Sequence, residues 1–352
     1  MAFSAAESAA MKQALALARR GVRGANPLVG AVVLSPGGEV LATGWHCGAG
    51  TPHAEADALA TASAAGVEVR GATMVVTLEP CNHTGRTGPC TQAILRAGIA
   101  RVVYAAADTN DDAAGGAAAL AAAGVAVEGG LLAEESRELN HRWAAAVAAH
   151  RPFVTVKTAQ TLDGRTAAAD GTSQWITSPQ ARADAHELRL RADAILAGTG
   201  TIQADDPQLT ARHPDCSDAQ QQPLRVVMGH TPVPAAARVR GTDERFLQLP
   251  THDPAVVLAE LYDRGARHLM VEGGGTVAGA FLRAGLADEL VAYTAPALLG
   301  AGTPAFAGLG ITAMAQIQRW RWDPAGGGAA VPIGPDLRLH LEPLPEPKNE
   351  QQ

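Results

Sequence analysis

The sequence predicts an α/β protein made of two tandem domains, and three observations predict it. The chain has 352 residues, enough for about two domains, and a 47% hydrophobic content supplies a sizeable core for each. Short β-rich apolar runs alternate with alanine-rich segments of helical spacing, the pattern of helices covering a sheet. That alternation closes near residue 149 and restarts at HRPFV (150–154), where a proline marks the junction. No internal repeat is visible, so the halves read as two different α/β domains.

The elements follow in order. Residues 4–20 carry Ala, Leu and Met at helical spacing, and Gly21 is placed to end that helix. LVGAVVLS (28–35) has the composition of a buried strand, and Gly37-Gly38 marks a turn into EVLATG (39–44), which gives a hairpin. A helix then runs from His53 to about Ala65, followed by the strand ATMVVTL (72–78), a loop, a helix from about Pro89 to Ala97 and the strand RVVYAAA (101–107). An alanine-rich helix (113–123), the short strand VAVEG (125–129) and a helix over 131–149 complete the first half. The second half opens with the strand FVTVKTA (153–159) and a helix after SPQ (178–190). Strands DAILAG (193–198) and LRVVMG (224–229), a helix near 254–264, the strand RHLMVEG (267–273) and a helix over 276–284 come next. Strands around 288–294 and 336–342 end the series. The polar stretch 213–223 and PAGGGAAVPIG (324–334) read as loops, and residues 346–352 as a disordered tail. The expected domains are therefore 1–149 and 150–345.

Composition narrows the function. A formal net charge of −7 argues against a nucleic-acid-binding protein, which shows a basic patch or stripe. A small anionic substrate stays open, since a few local arginines suffice to hold it. No apolar run approaches the roughly 20 residues that cross a bilayer, and MAFSAAESAAMKQ lacks the basic-then-apolar order of a secretory signal. A cytoplasmic protein without a membrane partner is expected. Four cysteines, Cys47, Cys81, Cys90 and Cys216, do not resemble a disulfide framework; in a reducing compartment, paired cysteines more often bind metal.

HAEADAL (53–59) places His53 and Glu55 two residues apart, the wrong spacing for one face of a regular helix. At a helix start, however, both can point into one small space. TLEPCNHTGRTGPC (77–90) adds Cys81 and Cys90, at the end of a strand and the start of a helix. His53, Cys81 and Cys90 make three ligands for Zn2+, which leaves a fourth position for water. The positive end of a helix favours thiolate at Cys90 and, less strongly, at Cys81. Bound zinc brings its water to a pKa near 7, roughly, and Glu55 then has the catalytic task of moving a proton from that water to a departing amine. This is the division of labour of the zinc deaminases. The usual nucleobase signature separates its cysteines by two residues, whereas NHTGRTGP stands between them here. A structural zinc knuckle is the competing reading, disfavoured by three ligands and a nearby acid. Cys47 reads as a spare small residue.

In the second half, KTAQTLDGRTAAADGTSQWITSP (157–179) carries no strong generic motif, and VEGGGTVAGAFL (271–282) sets glycines between a strand and a helix. Such a turn lets backbone N–H groups approach a phosphate, but it is not a GxGxxG fingerprint. Arg182 and Arg191 read as solvated helix charges.

ANPLVGAVV (25–33), HAEADAL, TLEPCNHTGRTGPC and AGIARVVYAAAD (97–108) together resemble the N-terminal domain of the bifunctional deaminase-reductases of riboflavin biosynthesis, over most of residues 8–147. Residues 153–298 are similar to the reductase domain of that family. The resemblance implies a cytidine-deaminase-like three-layer domain followed by a dihydrofolate-reductase-like domain that uses NADPH. It implies hydrolytic deamination of 2,5-diamino-6-(5-phosphoribosylamino)pyrimidin-4-one, then reduction of the ribosyl group to ribityl. It also implies a small phosphorylated pyrimidine as partner, no nucleic acid, and a homo-oligomer. Asn26, His46, His83 and Arg86 match substrate positions of the deaminase. In the reductase, Ala159, Trp175, Thr201, Asp205, Gly274, Thr276, Val277, Ala278, Gly279 and Ala280 match cofactor positions. Lys157, Ser173, Arg189, Leu209, Arg212 and Glu272 match substrate positions, and Arg189 and Arg212 are of the type that forks onto a phosphate. The stretch after Arg212 is shorter than in many members, and a working deaminase joined to an inactive or repurposed reductase stays open at this point.

Overall fold

The computed structural model describes residues 3–82, 88–108, 115–213, 217–323 and 328–344. The chain divides into two compact units, Met1–Ala149 and His150–Gln352. The proposed tail, 346–352, lies outside the described residues, as does Cys216.

Unit 1 contains α1 (Ala5–Ala18), β1 (Gly30–Leu34), β2 (Val40–Trp45), α2 (Ala54–Ala64), β3 (Thr73–Leu78), α3 (Cys90–Ala97), β4 (Arg101–Ala106), α4 (Gly116–Ala122), β5 (Ala126–Gly129) and α5 (Ala133–Ala149). The sheet order is β2-β1-β3-β4-β5. The β1–β2 hairpin and the β1–β3 pair are antiparallel, while β3, β4 and β5 run parallel. Strand alternation splits the core into two. Val32, Leu34, Val75 and Val103 face α1 and α5, and Ala31, Val33, Met74, Val76 and Val102 face α2, α3 and α4. Helices thus cover both faces, giving three layers.

Gly21 does not end α1. The helix stops at Ala18 with Arg19 as a right-handed cap, and its start is fixed by a capping box in which Ser4 and Glu7 bond reciprocally. The space at Gly21 is needed instead for the His46 carbonyl, which would lie 2.6 Å from an added Cβ. Gly44 on β2 plays the same part for α2, since a Cβ there would sit 2.3 Å from the Ala58 nitrogen and 2.6 Å from the Ala54 oxygen. With Ala54, Ala58 and Ala62 on its inner face, α2 lies close against the sheet. Gly44→Ala is expected to overpack this contact and to destabilise unit 1 by about 1–3 kcal/mol, measured by urea unfolding.

Unit 2 contains β6 (Phe153–Thr161), β7 (Arg165–Ala168), α6 (Pro179–Arg189), β8 (Ala194–Gly198), α7 (Thr199–Asp205), β9 (Leu224–Met228), β10 (Phe246–Leu249), α8 (Pro254–Asp263), β11 (His268–Val271), α9 (Gly275–Arg283), β12 (Glu289–Ala295), β13 (Gly302–Pro304), β14 (Trp320–Trp322), β15 (Ala330–Ile333) and β16 (Asp336–Pro343). The main sheet runs β10-β9-β8-β11-β6-β12-β16-β14, with β15 also paired to β16, and β7 and β13 form a separate ribbon. From β10 through β12 every pair is parallel, and β16 reverses direction. β15 falls inside 324–334, read from its glycines as a loop; pairing with β16 overrides the local composition. On one face, α8 and α9 cover Val154, Leu196, Val226, Leu269 and Leu290. On the other, Ala181 and Ala185 of α6 pack on Val291 and Tyr293. Arg151 donates two bonds to Asp288, at 2.6 and 2.7 Å, and so fastens the start of β6 beside β12.

Candidate functional site

In unit 1 the three proposed ligands converge. His53 is the N-cap of α2, Cys81 follows β3, and Cys90 is the first residue of α3. The His53 Nδ1 lies 3.5 Å from the Cys81 sulfur and 3.3 Å from the Cys90 sulfur, and all three donor atoms lie within 4.8 Å of one another. One imidazole nitrogen and two sulfurs at this separation fit zinc. Cys47 is exposed and takes no part among the described residues. Glu55, in the first turn of α2, is only 3% exposed, and burial pushes its carboxyl up to about 7.

Electrostatics distribute the thiol proton differently from the helix-end expectation. The Cys90 thiol bonds to the Cys81 sulfur, which lowers Cys81 and raises Cys90. Cys81 also accepts from the Cys90 backbone N–H at 3.5 Å. The first backbone N–H of α3 is therefore aimed at the Cys81 sulfur, although Cys90 begins the helix.

His46 and Asn26 stand on the wall of a cavity of about 140 Å³ shared with His53, Glu55 and Cys81. The His46 Nδ1 bonds to the Pro52 carbonyl at 3.0 Å, so it carries the proton. Its Nε2 then accepts from the Asn26 amide at 2.9 Å. Both nitrogens are engaged, which leaves His46 no lone pair for a metal, and burial lowers its pKa so that the ring stays neutral. Leu78, Glu79, Asp108 and Trp143 complete much of the wall. Sequence reasoning missed these: only position links them, because Glu79 and Asp108 follow the ends of neighbouring parallel strands. His83 and Arg86 lie outside the described residues.

Unit 2 holds a larger cavity, about 750 Å³. Its wall includes Ala159, Trp175, Thr201 and Asp205 among the expected cofactor residues, and all six expected substrate residues: Lys157, Ser173, Arg189, Leu209, Arg212 and Glu272. At its centre Glu272 accepts from the Lys157 Nζ at 2.9 Å and the Arg189 Nε at 2.7 Å. Burial alone would raise the Glu272 carboxyl; Arg189 and Lys157 outweigh it and hold the group well below the usual carboxylate range. Arg189 also donates through Nη1 to the Thr210 carbonyl at 2.8 Å. Its guanidinium is thus largely engaged by the protein, which leaves it one edge for a ligand rather than an open fork. Arg212 bonds to the Gln208 amide and lies 3.5 Å from Asp218.

The segment Gly274 to Ala280 takes a different position. Gly274 caps α9 and donates to the Thr201 hydroxyl at 3.1 Å. Ala278 belongs to the core, and Gly279 presses on the Ala307 carbonyl, 1.8 Å from where a Cβ would be. None of Gly274, Thr276, Val277, Ala278, Gly279 and Ala280 stands on the described wall of this cavity. Several residues to which sequence reasoning gave no place in the site do, Arg182 and His186 among them. Arg182 lies over the Trp175 ring, 4.3 Å from its centroid, rather than free in solvent, and His186 stands one turn before Arg189.

Comparison with known proteins follows the same division. The cytidine and deoxycytidylate deaminase zinc-binding region matches residues 4–106, and the RibD C-terminal domain matches residues 152–329. The riboflavin biosynthesis protein RibD of Mycobacterium tuberculosis is 46% identical over 320 residues, 90% of each chain. This chain belongs to the RibD family. A solved structure of Acinetobacter baumannii RibD superposes with a TM-score of 0.84 at 34% identity, covering 97% of this chain and 99% of that one. A Thermotoga maritima diaminohydroxyphosphoribosylaminopyrimidine deaminase/5-amino-6-(5-phosphoribosylamino)uracil reductase gives 0.82 at 32% identity, over 96% and 99%. The expected fold classes hold: a cytidine-deaminase-like first domain and a dihydrofolate-reductase-like RibD reductase domain. Among the described residues no helix is long and apolar enough to cross a membrane.

Proposed function

We propose that residues 1–149 form the deaminase, with His53, Cys81 and Cys90 holding its zinc and Glu55 as its proton carrier, and that residues 150–345 form the reductase. The enzyme is bifunctional and serves riboflavin biosynthesis, with zinc and NADPH as cofactors. The observation that carries the residue assignment is the meeting of one imidazole nitrogen and two sulfurs, with His53 and Cys81 sharing a cavity wall with the buried carboxylate of Glu55.

Zinc, when bound, supplies the Lewis acidity that makes a water nucleophilic at neutral pH. Glu55 is not needed as a ligand; it takes a proton from the attacking water and delivers it to the departing amine of the pyrimidine. Asn26 and the neutral His46 form one wall and orient the ring, and His83 and Arg86 meet the substrate's phosphate. The second cavity would hold NADPH, which when bound would supply the hydride for reduction at C1′ of the ribosyl group. Ala159, Trp175, Thr201 and Asp205 seat the nucleotide, with the α9 start from Gly274 beside them. Lys157 and Glu272 bind the ribosyl portion, Ser173 and Leu209 shape the wall, and Arg189 and Arg212 hold the 5-phosphate. The substrate is the small phosphorylated pyrimidine 2,5-diamino-6-(5-phosphoribosylamino)pyrimidin-4-one, and the assembly is a cytoplasmic homo-oligomer, which sedimentation equilibrium tests.

Metal analysis tests the ligand set. Cys90→Ser is expected to reduce zinc well below one per chain and to abolish deamination, while NADPH consumption with the deaminated substrate continues. Full zinc content in Cys90→Ser removes that residue from the set. Absence of NADPH consumption by the wild-type protein refutes the reductase assignment.

A further inference from the structure

His186 lies on α6 three residues before Arg189, so the two side chains share a face of the helix, and both line the unit 2 cavity. Its neighbours there are committed: Lys157 and Arg189 to Glu272, and Ser173 to Asp205 at 2.9 Å. The His186 side chain makes no hydrogen bond among the described residues, and its Nδ1 is buried without a partner. An unpaired buried acceptor is less unfavourable than an unpaired buried N–H, so the proton belongs on Nε2, the ring nitrogen that is not among the buried unpartnered atoms. Burial, followed by the charges of Arg189, Arg212 and Lys157, pushes the imidazole down to about 4. At neutral pH it is an uncharged donor among cations.

Such a donor complements a dense anion, which the arginines attract and the imidazole orients without adding charge. We propose that His186 is a phosphate-binding residue of this cavity, donating from Nε2 to an oxygen of a phosphate monoester held beside Arg189 and Arg212. Two reductase ligands carry this chemistry, the 5-phosphate of the pyrimidine substrate and the 2′-phosphate of NADPH. The inference rests on the assignment of this cavity to the reductase.

The test is isothermal titration of the full-length protein with ribose 5-phosphate and, separately, adenosine 2′,5′-bisphosphate. In His186→Leu the Kd for one probe is expected to rise about tenfold or more. Its thermal midpoint should stay level or rise, since an unpaired nitrogen has been removed. His186→Gln, which keeps an N–H donor, should recover most of the affinity. A loss confined to ribose 5-phosphate assigns His186 to the substrate; one confined to the bisphosphate assigns it to the cofactor. Unchanged Kd for both probes in His186→Leu overturns the proposal. Should that variant fail to fold, His186→Asn, whose amide ends short of the Nε2 position, makes the same comparison. Arg212→Gln separates the two levels. If it weakens ribose 5-phosphate while His186→Leu affects neither probe, only the role of His186 falls; if neither variant affects either probe, the reading of the cavity falls too.

Discussion

The Glu55→Gln protein is expected to deaminate about 10²–10⁴-fold more slowly while keeping its zinc and its NADPH-dependent reduction. Glutamine preserves the volume of a side chain that is 3% exposed, so the change removes the proton acceptor and leaves the packing of α2 in place. Zinc content near one per chain separates the role of Glu55 from those of His53, Cys81 and Cys90. A variant retaining full deaminase rates removes Glu55 from proton transfer, and one that loses its zinc places Glu55 among the ligands.

The second large effect is expected at Glu272. Truncation to alanine leaves the Lys157 ammonium and the Arg189 guanidinium facing each other in a largely buried site without the carboxylate that binds both. Removing one partner of a buried ion pair costs about 3–5 kcal/mol. Glu272→Ala should therefore unfold unit 2 at clearly lower urea and lose reduction altogether. Glu272→Gln, which keeps an acceptor oxygen, should remain folded yet reduce poorly. The pH dependence has a definite sign. The folded Glu272 is held below its unfolded value, about 4.3. Its stabilisation is complete above that value and is lost as pH falls toward the folded one. The stability difference between wild type and Glu272→Gln should therefore be constant from pH 6 to 8, roughly, and shrink in acid below about pH 4. A difference that does not depend on acid refutes a charged Glu272.

The two sites were legible in the sequence to different depths. His53, Cys81, Cys90 and Glu55 could be named because zinc chemistry restricts residue type and because the elements that carry them have clear boundaries. The parallel strands of unit 2 were legible as continuous apolar runs, as expected of strands covered on both faces. The strands β7, β10, β13 and β14 were missed because they span three or four residues, too few to show a period. The helix α7 was missed because it follows β8 without a connecting turn. No local pattern could have joined Glu272 to Lys157 and Arg189, which are 115 and 83 residues away. His186 has no sequence signal beyond its helical offset from Arg189. Gly21 was misread because a glycine after a helix usually terminates it, while here close approach of the His46 backbone sets the requirement.

The seating of α2 directly against β2 has an evolutionary corollary. With backbone atoms meeting across Gly44, and alanines filling the rest of the seam, neither partner can grow without shifting the start of α2 and carrying His53 away from the two cysteines. A randomised library screened for deamination should consequently return almost invariant small residues at 44, 54 and 58, and broad diversity at the solvent-facing Ala60, Thr61, Ser63 and Ala64.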